Sequence, residues 1–367
     1  MTDTHQQTVQ DLIYLVSCAV RQEKAEAKRI HDMDLDKVYK LARLHNLAAA
    51  AAFALSDGGV AHELFAQAQA KAIRKNVLMD AEWASIRAVL EKEGIWYMPL
   101  KGAVIKDLYP QFGMRQMADY DILFDARHAA RLKKIMQERG FVVETFGASN
   151  HDCYHKEPIY NFEMHRALFA DVHEEAFLRY YENVKDRLIQ NEDASVGFHF
   201  SDEDFYVFMI AHEYKHYAGG GTGLRSLVDT YVYLRHKKLD MDYIEHEVRK
   251  LGIEEFERKN RSLALRLLEA QNYSQEDLQM LDYISSSGTY GTQEHRVQNQ
   301  VRKKGSKIKY LMDRAFMPMN EVKSYHPFFY KHKVLLPALF LYRLGKALTV
   351  RRKRFAAELK TLFQIKR

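Results

Sequence analysis

The chain has 367 residues, 47% of them hydrophobic, which is enough for one large core or, as we expect, two packed domains. Its two cysteines, Cys18 and Cys153, are far apart in sequence and exclude a disulfide framework or a zinc ribbon. The net charge of +6 is uneven: residues 302–367 hold 18 Lys/Arg against 3 Asp/Glu, an excess of about 15 that leaves about −9 for the remainder.

Met1 to Gln7 are polar and lack the basic and apolar regions of a signal peptide. Residues 9–20 and 35–55 carry apolar side chains at i, i+3 and i+4 and read as helices. Ser56-Asp57-Gly58-Gly59 stops the second. The apolar run at 47–55 is far shorter than the ~20 residues of a membrane span. A further amphipathic helix covers 62–93 and ends at Gly94.

The period then changes. Residues 95–100 read as a strand, 103–108 as a short helix and 120–124 as a buried strand. Residues 126–139 read as a helix capped by Gly140, and 141–146 as another strand. A turn at Glu157-Pro158 joins 154–156 to 159–165 in a hairpin. From Glu174 onward the pattern is helical, over 205–217, 224–234, 242–251, 253–269 and 275–283. The glycine cluster at 219–223 separates the first two of these, and the Ser/Gly-rich stretch 285–298 reads as a loop or lid. In the basic tail, Arg351-Arg352-Lys353-Arg354 follows the apolar run 335–341. It is expected to be a docked helix with a solvated basic face, or else a contact for an anionic membrane surface or nucleic acid. The expected location is cytoplasmic, with that tail allowing peripheral contact at the inner face of the membrane.

The expected fold class is α+β, a small mixed sheet flanked by helices with a mainly helical C-terminal region. The expected divisions are an N-terminal helical region (1–93), an α/β core (94–170), a helical domain (171–300) and a basic helical segment (301–367).

Chemistry concentrates between residues 100 and 124. Asp119 and Asp121 are two residues apart at a strand, so both carboxylates face one side and can converge on a hard divalent cation. Lys101-Gly102-Ala103 is a turn opening a helix, where free N–H groups and the helix dipole favour a phosphate. Lys101 and Arg115 offer a point charge and a planar fork to phosphate oxygens. Asn161, Glu163 and His165 share one face of their strand and Tyr160, Phe162 and Met164 the other, so Glu163 can supply a third carboxylate. In the plainer reading Asp119 caps a turn, Asp121 pairs with Arg115, and the cations are internal counter-ions.

This order of pieces resembles the polymerase-β-like nucleotidyltransferase superfamily. It is more closely similar to a bacterial family described only as uncharacterised nucleotidyltransferases. The matching residues are Leu100-Lys101-Gly102, Leu108-Tyr109-Pro110, Arg115, Asp119-Tyr120-Asp121-Ile122-Leu123 and Glu163-Met164-His165. His212, His216, Arg225 and Asp229 follow in the same pattern, so the likeness spans roughly 35–235. It departs at Ala103, where Gly or Ser is usual, and in the long gap from Gly102 to Asp119. The resemblance implies a nucleotidyltransferase module that moves an NMP unit from an NTP donor to an unidentified acceptor hydroxyl with Mg²⁺ or Mn²⁺. Asp119, Asp121 and Glu163 would be catalytic and metal-binding. Lys101, Gly102, Ala103 and Arg115 would bind nucleotide, and His165, His212, His216, Arg225 and Asp229 would wall the cleft.

Three other readings compete. His212-Glu213-Tyr214-Lys215-His216 spells the H-E-x-x-H helix of zinc hydrolases, although Thr222 stands where one protease group has a third His. A variant of it holds a metal on His212, His216 and Asp229. Metal-dependent glycosyltransferases also use Asp-x-Asp, but they begin with a nucleotide-binding strand–helix repeat where this chain has helices. A catalytically silent nucleotide-binding or scaffold protein, with the basic tail as its contact surface, is the alternative of another class.

Overall fold

A computed structural model describes residues 3–170, 174–289, 291–350 and 352–365. The chain opens with α1 (Asp3–Arg21), α2 (Ala27–His31), α3 (Leu35–Leu44), α4 (Ala48–Asp57) and the long α5 (Glu63–Glu93). Gly94 closes α5 in the left-handed conformation (φ 66°), where a Cβ would be strained. The sheet module follows: β1 (Tyr97–Pro99), α6 (Gly102–Ile105), β2 (Tyr120–Phe124), α7 (Ala129–Glu138), β3 (Val142–Thr145), β4 (His151–Lys156) and β5 (Tyr160–His165). Then come α8 (Glu175–Tyr180), a small hairpin of β6 (Leu188–Gln190) and β7 (Phe198–Phe200), α9 (Asp202–Gly219), α10 (Leu224–His236), α11 (Met241–Lys250), α12 (Glu254–Leu268) and α13 (Gln275–Ser287). The C-terminal segment contains α14 (Gln293–Lys304), α15 (Lys307–Ala315), α16 (Met319–Tyr325), α17 (Pro327–Lys331), α18 (Leu336–Leu348) and α19 (Arg352–Gln364).

The main sheet has the order β1-β2-β5-β4-β3, with β2 and β5 parallel and the other neighbours antiparallel. Its two faces are buried differently. Tyr120, Ile122, Phe124, Phe162 and Met164 point into a core closed by Trp83, Ile86 and Leu90 of α5 and by Leu132, Ile135 and Met136 of α7. Met98 and Leu123 point the other way, into a larger core shared by the N-terminal helices and the helices after residue 200. A small mixed sheet within a largely helical chain is an α+β fold.

The expected helix over 35–55 is two helices. The chain breaks at His45-Asn46-Leu47, where Asn46 has φ 54°. The reason is tertiary: His45 is fully buried, its Nε2 3.1 Å from the Ser285 carbonyl while its Nδ1 accepts the Leu224 N–H. Burial brings its pKa down to about 4, so the ring is neutral and suited to one donor and one acceptor role.

The expected loop over 285–298 is also corrected. α13 runs on to Ser287, and within the helix the Ser286 and Ser287 hydroxyls bond back to the carbonyls of Asp282 and Tyr283 one turn earlier. Thr292 then caps α14 by accepting the His295 N–H. Only a short turn remains between them, and Tyr290 in it lies outside the described residues. This turn packs on the glycine cluster at 219–223: a Cβ on Gly291 would come 2.5 Å from the Gly220 carbonyl oxygen. The β6–β7 hairpin lies in a stretch expected to be helical. Its strands are three residues each, too short for a period of two to show.

Candidate active site

β2 and β5 are adjacent, parallel and in register, with Asp121 opposite Glu163 and Leu123 opposite His165. On the far side of β5, Cys153 lies opposite Glu163 and His151 opposite His165. Side chains two apart share a face. Asp119, immediately before β2, therefore joins Asp121, Glu163, His165 and His151 on one surface, turned away from the core beneath α7.

Asp121 is the centre of this cluster and 5% exposed. Its Oδ1 accepts from Lys101 Nζ at 2.7 Å and from His165 Nε2 at 2.8 Å. Burial opposes its charge, but the Lys101 ammonium and the His165 hydrogen bond outweigh it and hold the carboxyl well below the usual range. Asp119 shifts the other way, raised by burial and then by the charge of Asp121. Glu163 is pushed up to about 7 by burial, then by Asp121 and Asp119. His165 falls to about 4 through burial, so it is neutral and its Nε2–H serves the carboxylate. The glutamate Oε2 stands 3.7 Å from Nε2 of both His151 and His165, so these three side chains also form a possible cation-binding group.

The fit to a divalent ion rests on this chemistry. Three carboxylates share this surface, one balanced by Lys101 and two pushed toward protonation by burial and then by the charge of Asp121. That is a surplus of oxygen donors and negative charge which a hard cation would satisfy.

The turn before the cluster differs from the expected phosphate cradle. Lys101 takes φ 47° and ψ −119°, a strained conformation for a residue with a side chain, and α6 is a single turn of four residues. Three of its four amides are engaged locally: Ala103 N–H bonds Leu100 O, and the Val104 and Ile105 N–H groups bond Lys101 O. Gly102 has a different partner from the one expected. An ideal Cβ there would lie 2.3 Å from Arg115 Nη1, so the glycine lets the guanidinium pass beneath the turn.

Arg115 itself is buried and pairs with Asp229 of α10, Nε to Oδ1 and Nη2 to Oδ2 each 2.8 Å, while Tyr109 O–H donates to Oδ1 at 2.7 Å. Arg115 does not pair with Asp121, and its fork is not open to a triphosphate. This corrects both expectations for that residue. The burial of a planar cation is compensated by a two-point match to one carboxylate.

α9 and α10 stand beside the cluster: the Lys101 charge acts on His212 and Lys215 of α9, and Arg115 binds Asp229 of α10. His212 and Lys215 are partly buried and keep some solvent access. Burial and then the Lys101 charge bring Lys215 down to about 8, and the same two causes depress His212 well below its ordinary value. His216 is exposed, with its Nε2 3.3 Å from that of His212. Arg225 donates from Nη1 to the Gln116 carbonyl at 3.3 Å, and burial first, then Arg115, lowers its pKa. Lys215, His151 and Lys75, which donates to Ala118 O at 2.6 Å, were not singled out from the sequence. The spacing His212-x-x-Lys215 on one helix face was a signal for the first. The other two depend on strand pairing and helix packing, which no local pattern carries.

The zinc-hydrolase reading fails on direction. Glu213 points away from the two histidines into the interior, where Asn260 Nδ2 donates to its Oε2 at 3.2 Å and Thr230 Oγ1 lies 3.5 Å from the same oxygen. Asp229, bound by Arg115 and Tyr109, is not available to complete a metal set with His212 and His216. Among the described residues α1 to α5 precede the first strand, and β1 leads into the single turn of α6 and not into a strand–helix repeat.

A small mixed sheet that gathers carboxylates from neighbouring strands, closed by a helical wall carrying cations, is the plan of a nucleotidyltransferase. The chain belongs to the uncharacterised nucleotidyltransferase family, whose model matches residues 31–269. No curated protein and no solved structure was found to match it.

Proposed function

We propose that the protein transfers an NMP unit from an NTP to an acceptor hydroxyl, with Mg²⁺ or Mn²⁺ held by Asp119, Asp121 and Glu163. The observation that carries this reading is the register of β2 and β5, which sets Asp121 beside Glu163 with Asp119 on the same face. The bound ion would neutralise charge on the phosphates and lower the pKa of the acceptor oxygen. That oxygen attacks the α-phosphorus, the bond from the α-phosphorus to the bridging oxygen breaks, and diphosphate leaves. Glu163 either completes the ligand set or receives the acceptor's proton.

Lys101, beside Asp121, and Lys215 and Arg225, from the helical wall, are the cations we assign to the triphosphate. Lys215 has no ion-pair partner among the described residues, which suits a side chain awaiting an anion. Arg115 holds α10 against the turn, and Gly102 makes room for it. His165 orients Asp121, and His212 lines the acceptor side.

The test is a thermal-shift panel of ATP, GTP, CTP and UTP with Mg²⁺ or EDTA, on wild type and on the Asp119→Asn/Asp121→Asn variant. A ligand that binds only the folded state raises its apparent stability. A Mg²⁺-dependent shift, lost in the variant, is the expected result and names the donor. No shift with any nucleotide would leave the silent scaffold as the better reading.

A further inference from the structure

α18 has its amphipathicity reversed. A helix on a protein surface normally turns apolar side chains to the core and charges to water. Here Arg343 faces inward, its Nη2 3.1 Å from the Arg314 carbonyl and its Nη1 3.4 Å from that of Ala315. Outward stand Leu341 (65% exposed), Leu344 and Leu348 (56%), with Val334 (91%) just before the helix and Val350 (78%) just after it. Only Leu339 of α18 is deeply buried, and Phe340 stacks on Phe316 with centroids 5.5 Å apart. No charged side chain interrupts the exposed stripe among the described residues.

Both ends of that stripe are basic. Lys331 and Lys333 precede it, and the exposed Arg352, Lys353 and Arg354 follow it; Arg351 lies outside the described residues. With Thr349 and Val350, these last three cations line an open cavity of about 320 Å³. Carboxylates do little to offset them. Glu358 is bound by Arg314 and Tyr310, and Asp313 pairs with Lys304.

We propose that the C-terminal segment docks on an anionic lipid bilayer, with the outward face of α18 in the interfacial layer and Arg352–Arg354 on the headgroup phosphates. An apolar stripe between clusters of positive charge matches an acyl layer beneath anionic headgroups. Nucleic acid would meet the basic ends but gain nothing from the leucine face. A second copy of the chain would bring two basic clusters together. The helix lies on the membrane and does not cross it: its 13 residues span about 20 Å, and no described helix is long and apolar enough to cross. This inference does not depend on the transfer chemistry proposed above.

The test is vesicle flotation of the full chain with phosphatidylcholine alone and with added phosphatidylglycerol. Wild type should float with the anionic vesicles and release as salt rises. Leu341→Asp/Leu348→Asp should weaken binding at least about tenfold, as should Arg352→Glu/Lys353→Glu/Arg354→Glu. Melting temperatures guard against misfolding, and all five side chains are exposed. A variant-free measurement adds hydrogen-exchange protection over residues 334–350 when anionic vesicles are present. Failure of wild type to float overturns the proposal, and so does an aspartate variant that floats as well as wild type. Loss of flotation to an RNA competitor, together with RNA binding unaffected by the aspartates, would assign the surface to nucleic acid. Self-association abolished by the aspartates, without flotation, would assign it to a second copy.

Discussion

Arg115 and Asp229 are 114 residues apart in the chain and meet in a buried two-point ion pair, each N–O distance 2.8 Å. The pair ties the loop before β2 to α10, and so fixes the helical wall over the acidic cluster. Arg115→Ala would leave the buried Asp229 with Tyr109 and, 4.0 Å away, Arg225 Nε, neither of which replaces the two-point match, so we expect a loss of about 3 kcal/mol in denaturant unfolding. A loss below ~1 kcal/mol would show that the pair contributes little to holding the two parts together.

Gly102 should be intolerant of Ala for the same reason. The added Cβ would meet Arg115 Nη1 at 2.3 Å, and we expect a cost of about 1–3 kcal/mol. The effect should shrink sharply in the Arg115→Ala background, because the obstructing group has gone. A double-mutant cycle measures this, and additive costs would instead point to the backbone or a ligand.

Asp121→Asn should reduce transfer by at least ~10²-fold while the fold persists. The amide can still accept from Lys101 and His165 but brings no charge to a cation. Once the donor nucleotide is known, turnover of that variant at the wild-type rate would remove the proposed mechanism.

Lys215→Ala should weaken nucleotide binding by about tenfold, or ~1.4 kcal/mol, and leave the unliganded melting temperature nearly unchanged. A half-buried ammonium without an ion pair adds little to the empty fold. Isothermal titration of the preferred nucleotide, with an unchanged Kd in the variant, would take Lys215 out of the site.

Glu213 gives a pH dependence independent of the active site. Burial pushes its pKa up from 4.5 to about 7, so across that interval the folded state holds a proton that the unfolded chain has released. Stability from this group is therefore present below about pH 4.5 and lost as pH rises toward about 7, by an amount on the order of 3 kcal/mol. Glu213→Gln should flatten the melting temperature between pH 5 and pH 8 and raise it at the upper end. Parallel curves for variant and wild type would show that the group titrates normally.

Some of this was legible in the sequence because it is local. The i, i+2 relation of Asp119 and Asp121 needs only a strand, and Tyr120–Phe124 forms one over the expected residues. Gly94 and Gly140 mark chain reversals that need positive φ, and both have it. The order of motifs around the Asp pair was enough to place the chain in its family.

What only the tertiary structure decided is who partners whom. The sequence offered Arg115 to a phosphate or to Asp121, and packing gave it to Asp229. It gave Gly102 a role at a phosphate, and the fold placed a guanidinium there. It read H-E-x-x-H as one motif, although a helix turns 100° per residue and sends Glu213 to the core while His212 and His216 stay toward solvent. Local periodicity fixes which way a side chain points relative to its own element. The charge, burial and partner it meets come from elements far along the chain, and these determine what its chemistry can be.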